Sequence, residues 1–284
     1  MKKSNTILLH LTDLHFGDNL SESLSVSDFT YNDIAKLIAD TIKSNYKSKK
    51  LIIAFGGDIT NKGQSKKYQY ASNFIRTIKK ELSDYNIDII LCPGNHDIEI
   101  GNDNWFGNFN IFSGEITEKQ NFIYTKKRTC VLYETPDVSF VVINSIYHGD
   151  HTFGLIDTNQ LEEKLKLAQH KIIVLLHHHL IPVLKDDTST TRNSYDMIRL
   201  CLKYGVELII HGHIHSTFKL SFGDSIKKVD IVGCGATLPI VNSNYNNQFN
   251  ISEISKSKIK SITSYKITFD SIDSHKPQTI KIAL

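Results

Sequence analysis

Five short stretches carry most of the residues in this sequence that could do chemistry. They are Asp13 and His15 in "LHLTDLHFG", Asp58 in "GGDITNKG", Asn95, His96 and Asp97 in "PGNHD", His177 to His179 in "LLHHHL", and His213 and His215 in "HGHIH". Oxygen donors mixed with imidazoles, without a Cys-x-x-Cys pair, suit Mn, Fe, Ni or Zn in a working centre better than a structural zinc site. Asp13 closes the apolar run from Ile7 to Thr12. An unpaired buried charge is costly, so this carboxylate belongs at a strand mouth, in a pair or on a metal. Asp-x-His alone is short and common, and reads equally as a turn acid beside an incidental histidine. Carboxylates, an amide and several imidazoles at successive strand mouths are a stronger signal.

Bringing these stretches together asks for elements that end side by side. Short apolar runs lead into them or lie between them: "ILLHLT", "KLIIAFGG", "IDIILCPG", "SFVVINS", "KIIVLLHHH", "VELIIHGHIH" and "VDIVGCGA". Continuous apolar runs of this length fit strands covered on both faces. Stretches 28–46, 64–83, 158–169 and 194–204 have apolar residues at helical spacing, as in Phe74, Ile75, Ile78 and Leu82. The alternation predicts an α/β architecture, and such folds bind at the carboxyl ends of their strands. After about residue 215 the helical patterns stop, and "STFKLSF", "KKVDIVGCGA", "QFNISEI" and "SITSYKITF" predict an antiparallel meander extending a second sheet. Two polar stretches, 99–115 and 184–196, read as loops, either solvated surface or rims of a site. In the first, Trp105 and Phe106 would either anchor the loop to the body or close over a substrate base.

With 284 residues, 40% hydrophobic and 22% charged, the chain reads as one soluble globular domain over 1–284. A net charge of +3 is too small to argue for nucleic acid. Arg76, Arg128, Arg192 and Arg199 are the only arginines, so no arginine-rich phosphate patch exists. Four widely spaced cysteines, a start "MKKSNTILLHLTD" unlike a secretory signal and the lack of a long apolar stretch predict a reduced, cytoplasmic protein away from membranes. Oligomeric state is not legible.

In this order, the five stretches resemble the motifs of the calcineurin-like metallophosphoesterase superfamily: D-x-H, G-D, G-N-H-D or E, H, and G-H-x-H. The resemblance implies a four-layer α-β-β-α sandwich of two mixed sheets flanked by helices, with two divalent metal ions (Mn, Fe, Ni or Zn). It implies that Asp13, His15 and His215 hold one metal, that Asn95, His177 and His213 hold the other, and that Asp58 bridges them. The fourth motif departs from the usual pattern of a histidine closely followed by proline, since three histidines precede Leu180-Ile181-Pro182. His177, directly after "IIVLL", is favoured as the ligand, His178 is the alternative, and His179 reads as a rim or packing residue. His10 and His211 read as hydrogen-bonded core histidines rather than ligands, and His148, His151, His170 and His275 carry no assigned role.

Paired divalent ions bind the non-bridging oxygens of a phosphoester and lower the pKa of a bridging water, so that hydroxide attacks in line. By resemblance, His96 would protonate the leaving oxygen with Asp97 fixing its tautomer. "GDITNKG" and "PGNHD" resemble the bacterial phosphodiesterase branch rather than the protein phosphatases, and "LHLTDLHFG" and "FNISEI" resemble its cyclic-nucleotide phosphodiesterases. The expectation is a phosphodiesterase acting on cyclic nucleotides or other small nucleotide phosphodiesters. A DNA-end nuclease is the alternative, with nucleic acid not favoured, and a catalytically silent metal-binding scaffold is a third reading.

Overall fold

The computed structural model describes residues 5–17, 30–99, 101, 104–118, 121–183, 185–238, 247–255, 258–268 and 278–284. The apolar runs form strands β1 (Thr6–Leu11), β2 (Lys50–Phe55), β3 (Asn86–Leu91), β5 (Val138–Ile143), β6 (Lys171–Leu175), β7 (Val206–His211) and β9 (Lys228–Gly233). The helical spacings form α1 (Tyr31–Asn45), α2 (Ser65–Glu81), α4 (Thr158–Leu167) and α5 (Ser194–Lys203). Side-chain caps fix two of the helix starts: Thr30 and Asp33 close a capping box on α1, and Asp157 accepts the Gln160 N–H at 3.1 Å on α4.

Strands β1, β2 and β3 pair in parallel, as do β5, β6, β7 and β9 in the other sheet. Alternation within single strands shows why the runs are continuously apolar. In β5, Val138, Phe140 and Val142 face the core between the sheets, whereas Val141 and Ile143 pack under α4 and α5 with Leu161, Leu165, Met197 and Cys201. In β6, Ile173 and Leu175 face inward while Ile172 and Val174 face the helices. Both faces are therefore covered, giving the α-β-β-α sandwich.

Two expectations are corrected, and one strand is added. The late strands do not form one meander on the second sheet. β10 (Gln248–Ile254), β11 (Ile259–Thr268) and β12 (Gln278–Ala283) extend the first sheet from β1, whereas β8 (Lys219–Gly223) edges the second beside β9. Period-2 patterning fixes that a segment is a strand but not which edge it joins. Within the stretch read as a loop at 99–115, Gly107–Thr117 is a helix, α3, whose Phe109, Phe112 and Ile116 are buried. Its glycines and asparagines masked the i, i+3, i+7 stripe. Strand β4 (Cys130–Glu134), antiparallel to β5, had no expectation at all. His275 lies outside the described residues. Among those described, no helix is long and apolar enough to cross a membrane, and all four cysteines are buried free thiols.

Candidate metal centre

Main-chain bonds continue past the strands at the mouths of β1 and β2 in one sheet and of β6 and β7 in the other. Asp13 N–H donates to Gly57 O at 3.0 Å, His15 N–H to Asp58 O at 3.0 Å, and Gly212 N–H to His177 O at 3.1 Å. Five of the expected donor residues take left-handed backbone angles: Asp13 (φ 54°), His15 (φ 45°), Asp58 (φ 50°), His213 (φ 74°) and His215 (φ 50°). Such conformations cost energy in non-glycine residues and persist where surrounding structure enforces them, often at functional sites. Gly94 is required by close approach, since a Cβ there would lie 2.2 Å from Asp58 Oδ1.

Asp13 and Asp58 are held alike. One oxygen of each is fixed by a backbone N–H from another loop: His213 N–H donates to Asp13 Oδ2 at 3.0 Å, and His96 N–H to Asp58 Oδ1 at 2.8 Å. The other oxygen faces ring nitrogens. Asp13 Oδ1 lies 3.2 Å from His215 Nε2 and 3.7 Å from His15 Nε2. Asp58 Oδ2 lies 3.3 Å from His177 Nε2 and 3.7 Å from His15 Nε2, between the two groups. His177 Nε2 also stands 3.0 Å from Asn95 Oδ1 and 3.1 Å from His213 Nδ1. Donor atoms of Asp13, His15 and His215 lie within 4.8 Å of one another, as do those of Asp58, His177 and His213 and those of His15, Asp58 and His96.

This donor set fits cations. Ring nitrogens face ring nitrogens beside buried carboxylate oxygens, an arrangement that a positive ion satisfies and a hydrocarbon core does not. The Gly56 carbonyl can only accept, so His177 Nδ1 donates to it at 2.8 Å and the neutral ring presents the Nε2 lone pair inward.

The electrostatics follow from the same crowding. Burial opposes ionisation of Asp13, but His215, His15 and His177 outweigh it and hold the carboxyl well below its usual range. Asp58 is held low in the same way by His177, His15 and His96. Burial opposes charge on His177, yet Asp58 and Asp13 raise it to about 9 without metal. His213 drops to about 3 through burial and the neighbouring His177. Burial and the Asp58 charge push Asp97 up to about 6 against its hydrogen-bond donors.

Every residue expected at the site is brought to it, although one relationship is wrong. Asp97 does not hold the His96 ring. Its carboxylate accepts from Ile59 N–H (3.1 Å), Thr60 N–H (3.0 Å), Gly94 N–H (3.0 Å) and Tyr68 O–H (3.1 Å), clamping the β2 loop to the β3 loop. Asn61 Oδ1 instead accepts from His96 Nδ1 at 2.8 Å. His96 and Asp97 are sequence neighbours on a 3₁₀ turn, Asn95–Asp97, that points their side chains apart. Nothing in "GDITNKG" marks Asn61 beyond its place three residues after Asp58. Of the three histidines, His177 faces both Asp58 and Asn95, whereas His178 Nδ1 meets Ser145 Oγ at 2.8 Å and packs its ring 4.5 Å from that of His213. Of the two readings for His179, rim or packing, the structure shows packing: it is buried, with Nε2 2.7 Å from Asp187 in the 184–196 stretch. His211 is a hydrogen-bonded core histidine as expected, its Nδ1 donating to Gly212 O at 3.0 Å, whereas His10 is in the core but neither of its ring nitrogens has a hydrogen-bond partner among the described residues; burial lowers them to about 4 and about 3.

Trp105 packs beside Gly149 with Lys126 Nζ 3.7 Å from its ring centre, and Phe106 is buried, so both anchor their segment to the body.

Known proteins resemble this chain in sequence and in fold. A probable cyclic nucleotide phosphodiesterase of Coxiella burnetii is 25% identical over 227 residues, 77% of this chain and 79% of its own. A dimetal phosphatase from Danio rerio shares the fold with a TM-score of 0.58 at 14% identity over 98% of both chains. Purple acid phosphatase from yellow lupin does so with a TM-score of 0.57 at 14% identity, over 99% of this chain and 54% of its own. The family model of calcineurin-like phosphoesterases matches residues 7–217, from β1 to just past His215 and so across all five loops. The chain therefore belongs to the calcineurin-like phosphoesterases, metal-dependent hydrolases of phosphoric esters that use two divalent ions.

Proposed function

We infer that the whole chain, as a single domain, is a phosphodiesterase acting on cyclic nucleotides or other small nucleotide phosphodiesters. The observation that carries this reading is the pair of donor clusters meeting at Asp58 Oδ2, with the His96 ring 5.0 Å from that of His15. The relative from Coxiella burnetii, named a probable cyclic nucleotide phosphodiesterase, supports the substrate class. In this reading Asp13, His15 and His215 hold one ion, Asn95, His177 and His213 the other, and Asp58 both. When bound, two divalent ions offset phosphoryl charge and supply an activated water.

The chain's own residues do the rest. Left-handed backbone at Asp13, His15, Asp58, His213 and His215 sets the donors before any ligand arrives, so ordering costs are met in folding. Asn61 Oδ1 accepts a hydrogen bond from His96 Nδ1–H, which leaves Nε2 as the nitrogen that can hand a proton to the leaving oxygen. Asp97 holds the turn that carries His96, without touching its ring.

The deciding experiment is hydrolysis by Mn-loaded protein of a panel: cyclic nucleotides, linear dinucleotides, nucleotide pyrophosphates and single-stranded DNA, each with a chelator control. Chelator-sensitive turnover of cyclic or linear nucleotide diesters is expected. Turnover of DNA alone would move the reading to a nuclease. Metal binding with no turnover on any substrate would move it to a scaffold.

A further inference from the structure

His151 was assigned no role from sequence, yet its Nδ1 lies 2.9 Å from the backbone oxygen of Asn95, 56 residues earlier. A carbonyl only accepts, so Nδ1 carries the hydrogen and donates. The Asn95–Asp97 turn is a single 3₁₀ turn closed by one bond, Asp97 N–H to Gly94 O at 3.1 Å. So short a turn leaves the Asn95 carbonyl without a partner inside it. His151 supplies that partner from the loop between β5 and α4.

The loop is built to hold the ring in place. Asp150 Oδ1 accepts from Thr152 N–H at 2.8 Å and from Thr152 O–H at 2.6 Å, a local turn with His151 at its centre. One residue earlier, Gly149 adopts φ +81° against Trp105, where a Cβ would lie 2.1 Å from the indole. Leu155 N–H bonds Ser145 O at 2.9 Å, and Gly154 bridges to Thr191. Trp105 and Gly149 thus set the position of the loop, and His151 passes that position to Asn95.

We propose that His151 is a positioning residue for the Asn95–His96 turn, its Nδ1–H fixing the Asn95 carbonyl and, through it, the Asn95 amide oxygen and the His96 ring. The proposal rests on the reading that Asn95 and His96 act at the metal centre. Partners of this outer kind typically change metal affinity or activity by about 10- to 100-fold when removed.

Isosteres test which nitrogen matters. Asn places an N–H where His Nδ1 sits, and Gln places one where Nε2 sits. The readouts for His151→Ala, His151→Asn and His151→Gln are Mn affinity by competition with a fluorescent chelator, kcat and KM on a nucleotide diester, and Tm as a control for folding. His151→Ala should weaken Mn binding and lower kcat about 10- to 100-fold with KM little changed. His151→Asn should recover most of both losses and His151→Gln neither. Better rescue by Gln would overturn the proposal, because the ring would then act through Nε2. Wild-type Mn affinity and kcat in all three variants would overturn it too, as would a change in KM alone. If the wild-type protein hydrolysed no nucleotide diester, the substrate reading would fail while the Mn comparison still decided the role of His151.

Discussion

His15 and His215 meet nitrogen to nitrogen, Nε2 to Nε2 at 3.2 Å, across 200 residues of sequence. Two neutral rings in that pose can share one hydrogen, two charged ones repel, and a cation takes both lone pairs. Metal loading should therefore raise the unfolding temperature, with about 2.7 kcal/mol of stabilisation when free metal is a hundred times its Kd. His15→Ala or His215→Ala should each reduce tightly bound metal, measured after desalting, while leaving the His177 cluster able to bind. Unchanged metal content in both variants would contradict the pairing of this cluster with an ion.

A bridging Asp58 predicts coupled losses. Asp58→Asn keeps an oxygen that can accept the His96 N–H but removes the negative charge between the clusters. Metal affinity and kcat should fall together, by about a hundredfold or more. Two metals retained with near-normal turnover would end the bridging role.

The three consecutive histidines should separate cleanly. His177→Ala should strip metal, His178→Ala should disturb packing against Ser145 and His213, and His179→Ala should loosen the Asp187 segment with metal retained. Metal loss from His178→Ala alone would shift the ligand by one residue. His177 also predicts a pH dependence. Its metal-free value is raised to about 9, so its ion-pair stability is fully present below its unfolded value of about 6.5 and is lost as pH rises through about 9. Ligation needs the neutral ring, so Mn binding should release a proton from His177 at pH 7 and tighten as pH rises toward 9. Calorimetry in buffers of different ionisation enthalpy measures that proton, and an affinity independent of pH over this range would refute it.

Asn61, which had no role from sequence, holds the His96 ring in place of Asp97. Removing the Asp97 carboxylate leaves three buried main-chain N–H groups without an acceptor, so Asp97→Ala should cost about 3–5 kcal/mol in urea unfolding of the metal-free protein. Asn61→Ala should leave stability nearly intact and reduce turnover of substrates with poor leaving groups. If Asp97→Asn, rather than Asn61→Ala, changed the leaving-group dependence, the assignment of Asn61 to the His96 ring would be wrong.

Strand runs and four of the helices were legible because burial on both faces leaves an unbroken apolar pattern, and the donors were legible because chemistry restricts their types. What stayed hidden depends on pairing in space. "QFNISEI" reads as a strand wherever it goes, but only the partnering of Thr6 with Ile254 through His10 with Asn250 places β10 beside β1. Gly107 and Asn110 concealed α3, whose buried face is carried by Phe109, Phe112 and Ile116. Asn61 and His151 hydrogen-bond to residues far along the chain, and no spacing rule announces such a bond.

The sharpest test of mechanism is His96. Its Nδ1 hydrogen is committed to Asn61, so any proton for the leaving oxygen sits on Nε2. The worth of that proton depends on the leaving group. A ribose alkoxide is a poor one, and general-acid help is worth roughly a hundredfold to ten-thousandfold. A p-nitrophenolate is stable as an anion and needs little. His96→Ala should therefore damage hydrolysis of a nucleotide diester far more than hydrolysis of bis-p-nitrophenyl phosphate. Metal content should stay close to wild type, because the neighbouring Asn95, with its amide 3.0 Å from His177 Nε2, is the side chain that faces the second cluster. Equal losses on both substrates would assign His96 to binding or water positioning, and lost metal would make it a ligand.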